Sequence, residues 1–321
     1  MLKVKILFSL FILLAFTIQN SLAKDAVLVL RTDTKNFSLV LEAIKDDLND
    51  EINISELIIN GDTSVADVDS SIKMIEPRLI VLIGNRSIAK YTQYQAENKD
   101  IKKSFPPSLA LSAIYLDKVI DQLSNATGIR NEIPIVTSIV NIRNILQTPV
   151  KRVGVLYSEW MTNLIEINKV FCSLEKIELV TVKLPNRVSY KQLRYHLRRL
   201  VEQDIDALWV PNDNLLLNAR LIQNAWMPVL KKTKMPVIVG IEELTVTALN
   251  FGTFSVTPDF YALGIQGAQM ISSIGEENWT IEEDGLVEPL SIEKLLNLKL
   301  SLRKQIPIDL KKLGQVDRVI R

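Results

Sequence analysis

Apolar residues along this chain fall into short continuous runs separated by stretches with helical spacing, and the alternation predicts an α/β protein. Strands are predicted over 26–30, 54–59, 79–83 and 109–114, where near-continuous apolar runs fit strands buried on both faces. Between them Phe37, Leu41, Ile44 and Leu48 recur on one helix face, as do Val65, Val68, Ile72 and Ile75, and a third helix is predicted from Ile88 to about Glu97. Four strands separated by three helices imply a parallel sheet whose right-handed crossovers cover both faces. The tetrapeptide Asn125-Ala126-Thr127-Gly128 reads as a turn.

The alternation restarts at Lys151 with KRVGVLYSEWMTN, a strand over 153–157 running through a polar loop into a helix. That helix is predicted to bury Leu164, Ile167, Phe171 and Leu174. A strand over 177–182 follows, and then a helix with Tyr190, Leu193, Leu197 and Leu200 on one side, started by a capping box at Ser189 and Gln192. The strand 206–211 delivers Asn212-Asp213-Asn214 as the cap of a helix through Leu217, Leu221 and Ala225. Strands over 235–240 and 252–256 precede a helix carrying Leu263, Gly267, Met270 and Ile274, and the tail from Leu286 adds one more strand-like run and a mixed helix. A βα series that restarts at mid-chain predicts two doubly wound parallel-sheet lobes with a cleft between them.

The first 23 residues stand apart from this pattern. Lys3 and Lys5 precede an apolar run from Ile6 to Ile18, and Ser21-Leu22-Ala23 supplies a small-x-small cleavage pattern, so 1–23 reads as a secretory signal peptide, or else as an uncleaved anchor. Removing it takes two lysines and no acids from a chain of net charge +1, leaving −1, a balance that gives no electrostatic case for nucleic acid. The single cysteine, Cys172, has no partner within the chain and reads as buried. With one histidine, His196, no glycine-rich dinucleotide fingerprint and no metal-ligand cluster, the sequence argues against an enzyme and implies no cofactor and no metal.

Ligands of parallel α/β sheets sit beyond the carboxyl ends of the strands, which directs attention to six loops. In the first half these are 31–36 with Asp33, 85–87 with Asn85, Arg86 and Ser87, and 112–117 with Ser112 and Tyr115. In the second half they are 157–163 with Tyr157, Ser158 and Trp160, then 212–214 with Asp213, and 240–243 with Glu242. Each residue has two readings. The helix start after Gly84 suits an anion or is an ordinary βα turn. Arg86 pairs with a ligand carboxylate or is solvated. Asp213 receives a ligand amine or caps its own helix. Glu242 and Glu243 read as paired carboxylates for acid/base work, which the divergence of adjacent side chains disfavours, or as a contact that recognises a cation. Tyr115 and Trp160 are placed to stack on a ligand, whereas Trp209, inside a strand, reads as core.

The segments KRVGVLYSE, DALWVPND, KMPVIVG and FGTFSVTPDFYALGIQGAQM, together with IVLIGNRSIAKY and NATGIRNEIPI in the first half, resemble the ABC-transporter substrate-binding protein family whose members take up tryptophan and other aromatic amino acids. The resemblance implies a type I periplasmic-binding-protein fold, with the chain crossing between lobes several times: 24–132 plus about 257–289 in the first lobe, 133–256 plus about 290–321 in the second. It implies a periplasmic protein, monomeric, that closes on a small polar ligand such as an amino acid and delivers it to an ABC permease. The alternative on the same fold is a ligand-sensing module that signals to a membrane-bound receptor or kinase. The family's ligand loops coincide with Asn85, Ser87, 112–117, Tyr157, Ser158, Asp213 and Glu242, although two glutamates follow Gly240 where small hydroxyl residues are common.

Overall fold

Period-two alternation within the apolar runs decides which side of each sheet a residue serves. In the computed structural model, which describes residues 24–48, 51–98, 105–246, 249–281 and 285–321, Val27 and Val29 of β1 (Ala26–Arg31) pack on one face while Leu28 and Leu30 pack on the other. The same division holds for Leu79, Val81 and Ile83 against Ile80 and Leu82 in β3 (Leu79–Ile83). All of these side chains are fully buried, so each strand needs helices on both sides. The signal peptide expected over 1–23 lies outside the described residues.

The first sheet has the order β11-β5-β4-β3-β1-β2, formed with β2 (Asn53–Ile58), β4 (Ser108–Leu111), β5 (Ala126–Ile129) and β11 (Leu286–Val287), and all its pairings are parallel. Helices α1 (Lys35–Leu48), α2 (Val65–Ile75) and α3 (Asn85–Glu97) connect its strands. The second sheet has the order β13-β12-β10-β9-β8-β6-β7. Its strands are β6 (Arg152–Ser158), β7 (Glu178–Leu184), β8 (Ala207–Val210), β9 (Val237–Val239), β10 (Phe254–Pro258), β12 (Ile292–Asn297) and β13 (Arg318–Ile320). Only β10 and β12 pair antiparallel. The architecture is thus α/β with two lobes, each a parallel or largely parallel sheet between helices.

Three connections carry the chain between lobes. After β5 it enters α4 (Ile135–Ile145), whose Ile135, Ile139 and Ile142 lie in the core of the second sheet. After β10 it returns through α10 (Phe260–Glu276), capped by Asp259, to pack on α1 and add β11 to the first sheet; then it crosses back to β12. Among the described residues no helix is long and apolar enough to cross a membrane.

Two local expectations fail. The segment read as a turn at 125–128 is mostly β5: only Asn125 takes a left-handed conformation (φ 57°), and Gly128 is needed inside the strand because a Cβ there would stand 2.4 Å from the Ala110 carbonyl oxygen. Asp213 does not cap the helix through Leu221. Asn218 does so, accepting from the Leu221 N–H, and the helical segment is broken into α7 (Ala219–Leu221), a π-helical turn (Ile222–Trp226) and α8 (Met227–Leu230). The capping box of α6 (Tyr190–Val201) forms as expected, Ser189 Oγ accepting from Gln192 N while Gln192 Oε1 accepts from Ser189 N.

Contact between α10 and α1 depends on a glycine. A Cβ at Gly264 would lie 2.4 Å from the Val40 carbonyl oxygen and 2.6 Å from the Ala43 Cβ, and the backbone oxygen cannot move without disturbing α1. Gly264→Ala is expected to destabilise the protein by about 1–3 kcal/mol, read as a lower urea midpoint, and an unchanged midpoint would show that the helices have room to separate. The Cys172 thiol is fully buried, and burial raises its pKa to about 11, so it should resist Ellman's reagent at neutral pH until the chain is unfolded.

Candidate ligand site between the lobes

The loop leaving β4 has an uncommon backbone. Ser112 and Tyr115 both adopt left-handed conformations, at φ 54° and 55°, which cost a residue with a Cβ roughly 1–2 kcal/mol. Polar contacts hold the loop in this shape. The Asn85 side chain, at the start of α3, donates to the Ile114 carbonyl oxygen (2.7 Å) and accepts from the Ile114 N–H (2.8 Å). Glu132, in the crossover to the second lobe, accepts from the Tyr115 N–H at 2.6 Å.

Held this way, Tyr115 enters the hydrophobic core of the other lobe and meets Trp160 edge-on, ring centroids 5.0 Å apart. Trp160 in turn donates its indole N–H to Asp213 Oδ1 (3.2 Å), which also accepts from Leu215 N (3.0 Å). Asp213 Oδ2 accepts from the Ser158 N–H (2.7 Å) and hydroxyl (2.5 Å). Asp213 is 1% exposed, and its two oxygens take four hydrogen bonds from within the protein. Five residues singled out in the sequence, Asn85, Tyr115, Ser158, Trp160 and Asp213, therefore form one continuous brace across the two lobes.

Others lie elsewhere. Ser87 is buried and spends its hydroxyl on the Ile83 carbonyl oxygen. Tyr157 is buried in the core cluster of the second sheet, because the alternation of β6 sends 153, 155 and 157 to that face. Asp33 is exposed and pairs with Arg31 (3.4 Å), and Arg86 is exposed, with no ion pair among the described residues. Glu242 is held by Arg318, 2.8 Å away. Trp209 is buried in its strand yet also borders the cleft.

Two cavities adjoin the brace, and Gly240 lines both. One, of 420 Å³, is bounded by Tyr115, Arg130 and Glu132 on one side and by Phe171, Trp209 and Asn212 on the other. The second, of 350 Å³, lies between Thr34, Ser112 and Asn131 of the first lobe and the loop of Ile241 and Glu242 in the second. Three polar side-chain atoms among their lining residues are buried without a hydrogen-bond partner among the described residues: Ser112 Oγ, Asn131 Oδ1 and Asn212 Oδ1. Such atoms are few in folded proteins, and each costs about 1–3 kcal/mol when left unpaired.

Helix α5 (Thr162–Leu174) supplies an apolar wall by presenting an unexpected face. Ile165, Asn168 and Cys172 point into the core, whereas Ile167, Phe171 and Leu174, predicted to be buried, are exposed, with Ile167 and Phe171 lining the larger cavity. The reason is Asn168. α4 begins after Pro134 without a side-chain cap, and Asn168 Oδ1 accepts from the otherwise unpaired Ile135 N–H (3.0 Å), fixing the helix in that rotation.

Charges of both signs border the larger cavity. Arg130 pairs with Glu288 (3.2 Å), while Glu132 is only part exposed and has its carboxyl crowded by protein. Burial raises the Glu132 pKa to about 7, the Tyr115 N–H opposing and Asp117 reinforcing the shift. Burial, and then the nearby Glu132 and Asp213 carboxylates, push the Tyr115 hydroxyl well above its ordinary range. Asn131 and Glu132 were not singled out from the sequence, and in the loop 212–214 the sequence directed attention to Asp213 and not to Asn212. The available signal was a polar pair, Asn131-Glu132, inside a segment that has to bridge two lobes.

No family model matches the sequence, and no curated protein matches it. Solved structures do match the fold. The ABC domain in complex with L-Trp from Streptococcus pneumonia is 19% identical over 93% of this chain and 100% of its own, with a TM-score of 0.58. A ligand-free, open substrate-binding protein with adhesive properties from Clostridium difficile is 14% identical over 92% and 99%, with a TM-score of 0.68. A conserved domain protein from Vibrio cholerae is 16% identical over 92% and 99%, at 0.57. The fold of this chain is the type I periplasmic-binding-protein fold.

Two outcomes follow from the geometry. Asp213→Ala should lower stability by about 2–4 kcal/mol, since the Ser158, Trp160 and Leu215 donors would lose their acceptor; a loss below 1 kcal/mol in chemical denaturation would mean that water replaces it. Because folding raises the Glu132 pKa from 4.5 to about 7, this residue favours the folded state most below pH 4.5, and that contribution is lost as pH rises through 7. Glu132→Gln, which keeps an acceptor for Tyr115 N, should flatten the decline of melting temperature across that window. An unaltered pH profile would refute the assignment.

Proposed function

We propose that this protein is the substrate-binding component of an ABC importer, held outside the cytoplasmic membrane after removal of its signal peptide. In this reading it takes a small polar ligand, an amino acid or a molecule of similar size, between its lobes and presents it to a permease. The observation that carries the reading is the group of unpaired buried atoms at the cleft, Ser112 Oγ, Asn131 Oδ1 and Asn212 Oδ1. A ligand with polar groups of its own would satisfy them, and such a site discriminates against molecules that cannot.

The larger cavity fits the same reading. At 420 Å³ it falls within the range of small-molecule sites, with Phe171 and Trp209 as apolar surface and Arg130 and Glu132 as charged contacts of opposite sign. A ligand bearing both an ammonium and a carboxylate matches that pairing. In this reading no chemical step is asked of the protein, and its one histidine, His196, sits on α6 with its ring edge-on to Tyr195.

Closure has a physical basis in the ligand. A two-lobed protein shifts toward the closed state only by the difference in ligand affinity between open and closed forms, and the three unpaired atoms come from both lobes, Ser112 and Asn131 from one side and Asn212 from the other. The Tyr115–Trp160 contact is the point about which these faces meet.

A thermal-shift screen of the protein lacking residues 1–23 against amino acids, organic acids, nucleosides and short peptides tests the proposal. A ligand at about 100 times its Kd should stabilise by about 2.7 kcal/mol. Ser112→Ala, Asn131→Ala and Asn212→Ala should each weaken the hit by roughly tenfold, as expected when one buried hydrogen bond is lost. Stabilisation by no compound class would sink the proposal, and a hit indifferent to all three substitutions would move the site away from these cavities.

A further inference from the structure

A third cavity, of 1060 Å³, opens on the second lobe at the carboxyl ends of α8 and α11 (Leu298–Arg303), and no part of the proposed transport cycle uses it. Its rim carries five cationic side chains, Lys231, Lys232, Lys234, Arg303 and Lys304, and no carboxylate is among its lining residues. Several other cations of the protein are paired, some twice: Arg31 with Asp33 and Glu56, Arg152 with Glu178 and Asp204, Arg318 with Glu242 and Glu293. Among the described residues none of the five around this cavity reaches an ion-pair partner. Lys234 bonds only the Gln305 amide oxygen, at 2.7 Å.

The site is built as well as charged. Lys304 is 7% exposed and fastens α11 to the end of α8, donating to the carbonyl oxygens of Leu230 and Thr233 and to the Thr233 hydroxyl. Burial, with the charge of Arg303 beside it, lowers the Lys304 pKa to about 8, so the positive charge there is held at a cost that a nearby anion would relieve. The wall opposite includes Ile222 and Met227 from the π-helical turn and the start of α8, and such turns recur at functional sites. Leu249 and Leu300 complete an apolar floor.

We propose that this cavity binds an anionic amphiphile, a small molecule with two or more phosphate, sulfonate or carboxylate charges attached to an apolar body, independently of any ligand between the lobes. Unpaired lysine and arginine charges at the rim attract the anionic part, and the floor of Ile222, Met227, Leu249 and Leu300 receives the rest. The charge supplies attraction at a distance that salt screens, while the floor distinguishes this ligand class from simple inorganic ions.

Isothermal titration calorimetry on the protein lacking residues 1–23, at low ionic strength, compares inorganic tripolyphosphate, ATP and the disulfonate bis-ANS, with phosphatidylglycerol vesicles as a separate arm. ATP should bind with one-to-one stoichiometry and more tightly than tripolyphosphate, and its affinity should fall as sodium chloride is raised. Lys231→Glu, Lys234→Glu and Arg303→Glu, all at exposed positions, should each weaken binding at least tenfold while leaving the thermal midpoint unchanged. Saturating binding unaffected by all three reversals would overturn the proposal, as would binding by none of the soluble probes. Binding to vesicles alone would also overturn it, replacing a small-molecule pocket with a lipid-surface contact.

Discussion

A carboxylate removed from water has to have its charge met by the protein, and at Asp213 that requirement joins segments that are distant in sequence. The end of β6 contributes Ser158, the following turn contributes Trp160, and the residues after β8 contribute Asp213 and Leu215. Because Trp160 is fixed by this network, it can serve as the surface against which Tyr115 of the other lobe rests. Tyr115 in turn is fixed by Asn85 through Ile114 and by Glu132. The relative placement of the cavity walls follows from that sequence of contacts, and at its centre Asp213 spends both carboxylate oxygens on the protein.

This division of labour explains which parts of the protein were legible in the amino-acid order. Strand positions follow from local apolar runs, and helix α6 from a capping box whose partners are three residues apart. Those features are decided within a few residues. The rotation of α5 is not, because it depends on Asn168 meeting the unpaired N–H of Ile135, thirty-three positions away. Periodicity alone assigned Leu164, Ile167, Phe171 and Leu174 to the core; Leu164 packs there, and the other three do not.

The cleft residues show the same limit. Parallel sheets place ligands at strand-end loops, and Ser112 and Tyr115 lie in such a loop. Whether a polar residue in such a loop is spent on the protein or left for a ligand depends on its partners in space. Asp213 and Ser87 are spent; Ser112, Asn131 and Asn212 retain unpaired atoms. Nothing in residue type separates these two groups, and Asn85 and Asn212 make the point as the same amino acid in opposite roles.

The packing of α10 on α1 through Gly264 bears on how the chain reaches its native state. The first lobe's sheet begins with residue 26, but its core is closed by Leu263, Ala268 and Ile271, and β11 at 286–287 completes its edge. A nascent chain must therefore emerge through almost the whole second lobe before the first has the partners that bury α1. Loop closures of more than two hundred residues precede those contacts, which places slow, late docking of α10 at the end of folding. Until α10 docks, the side of α1 at Val40 and Ala43 lacks its helical cover.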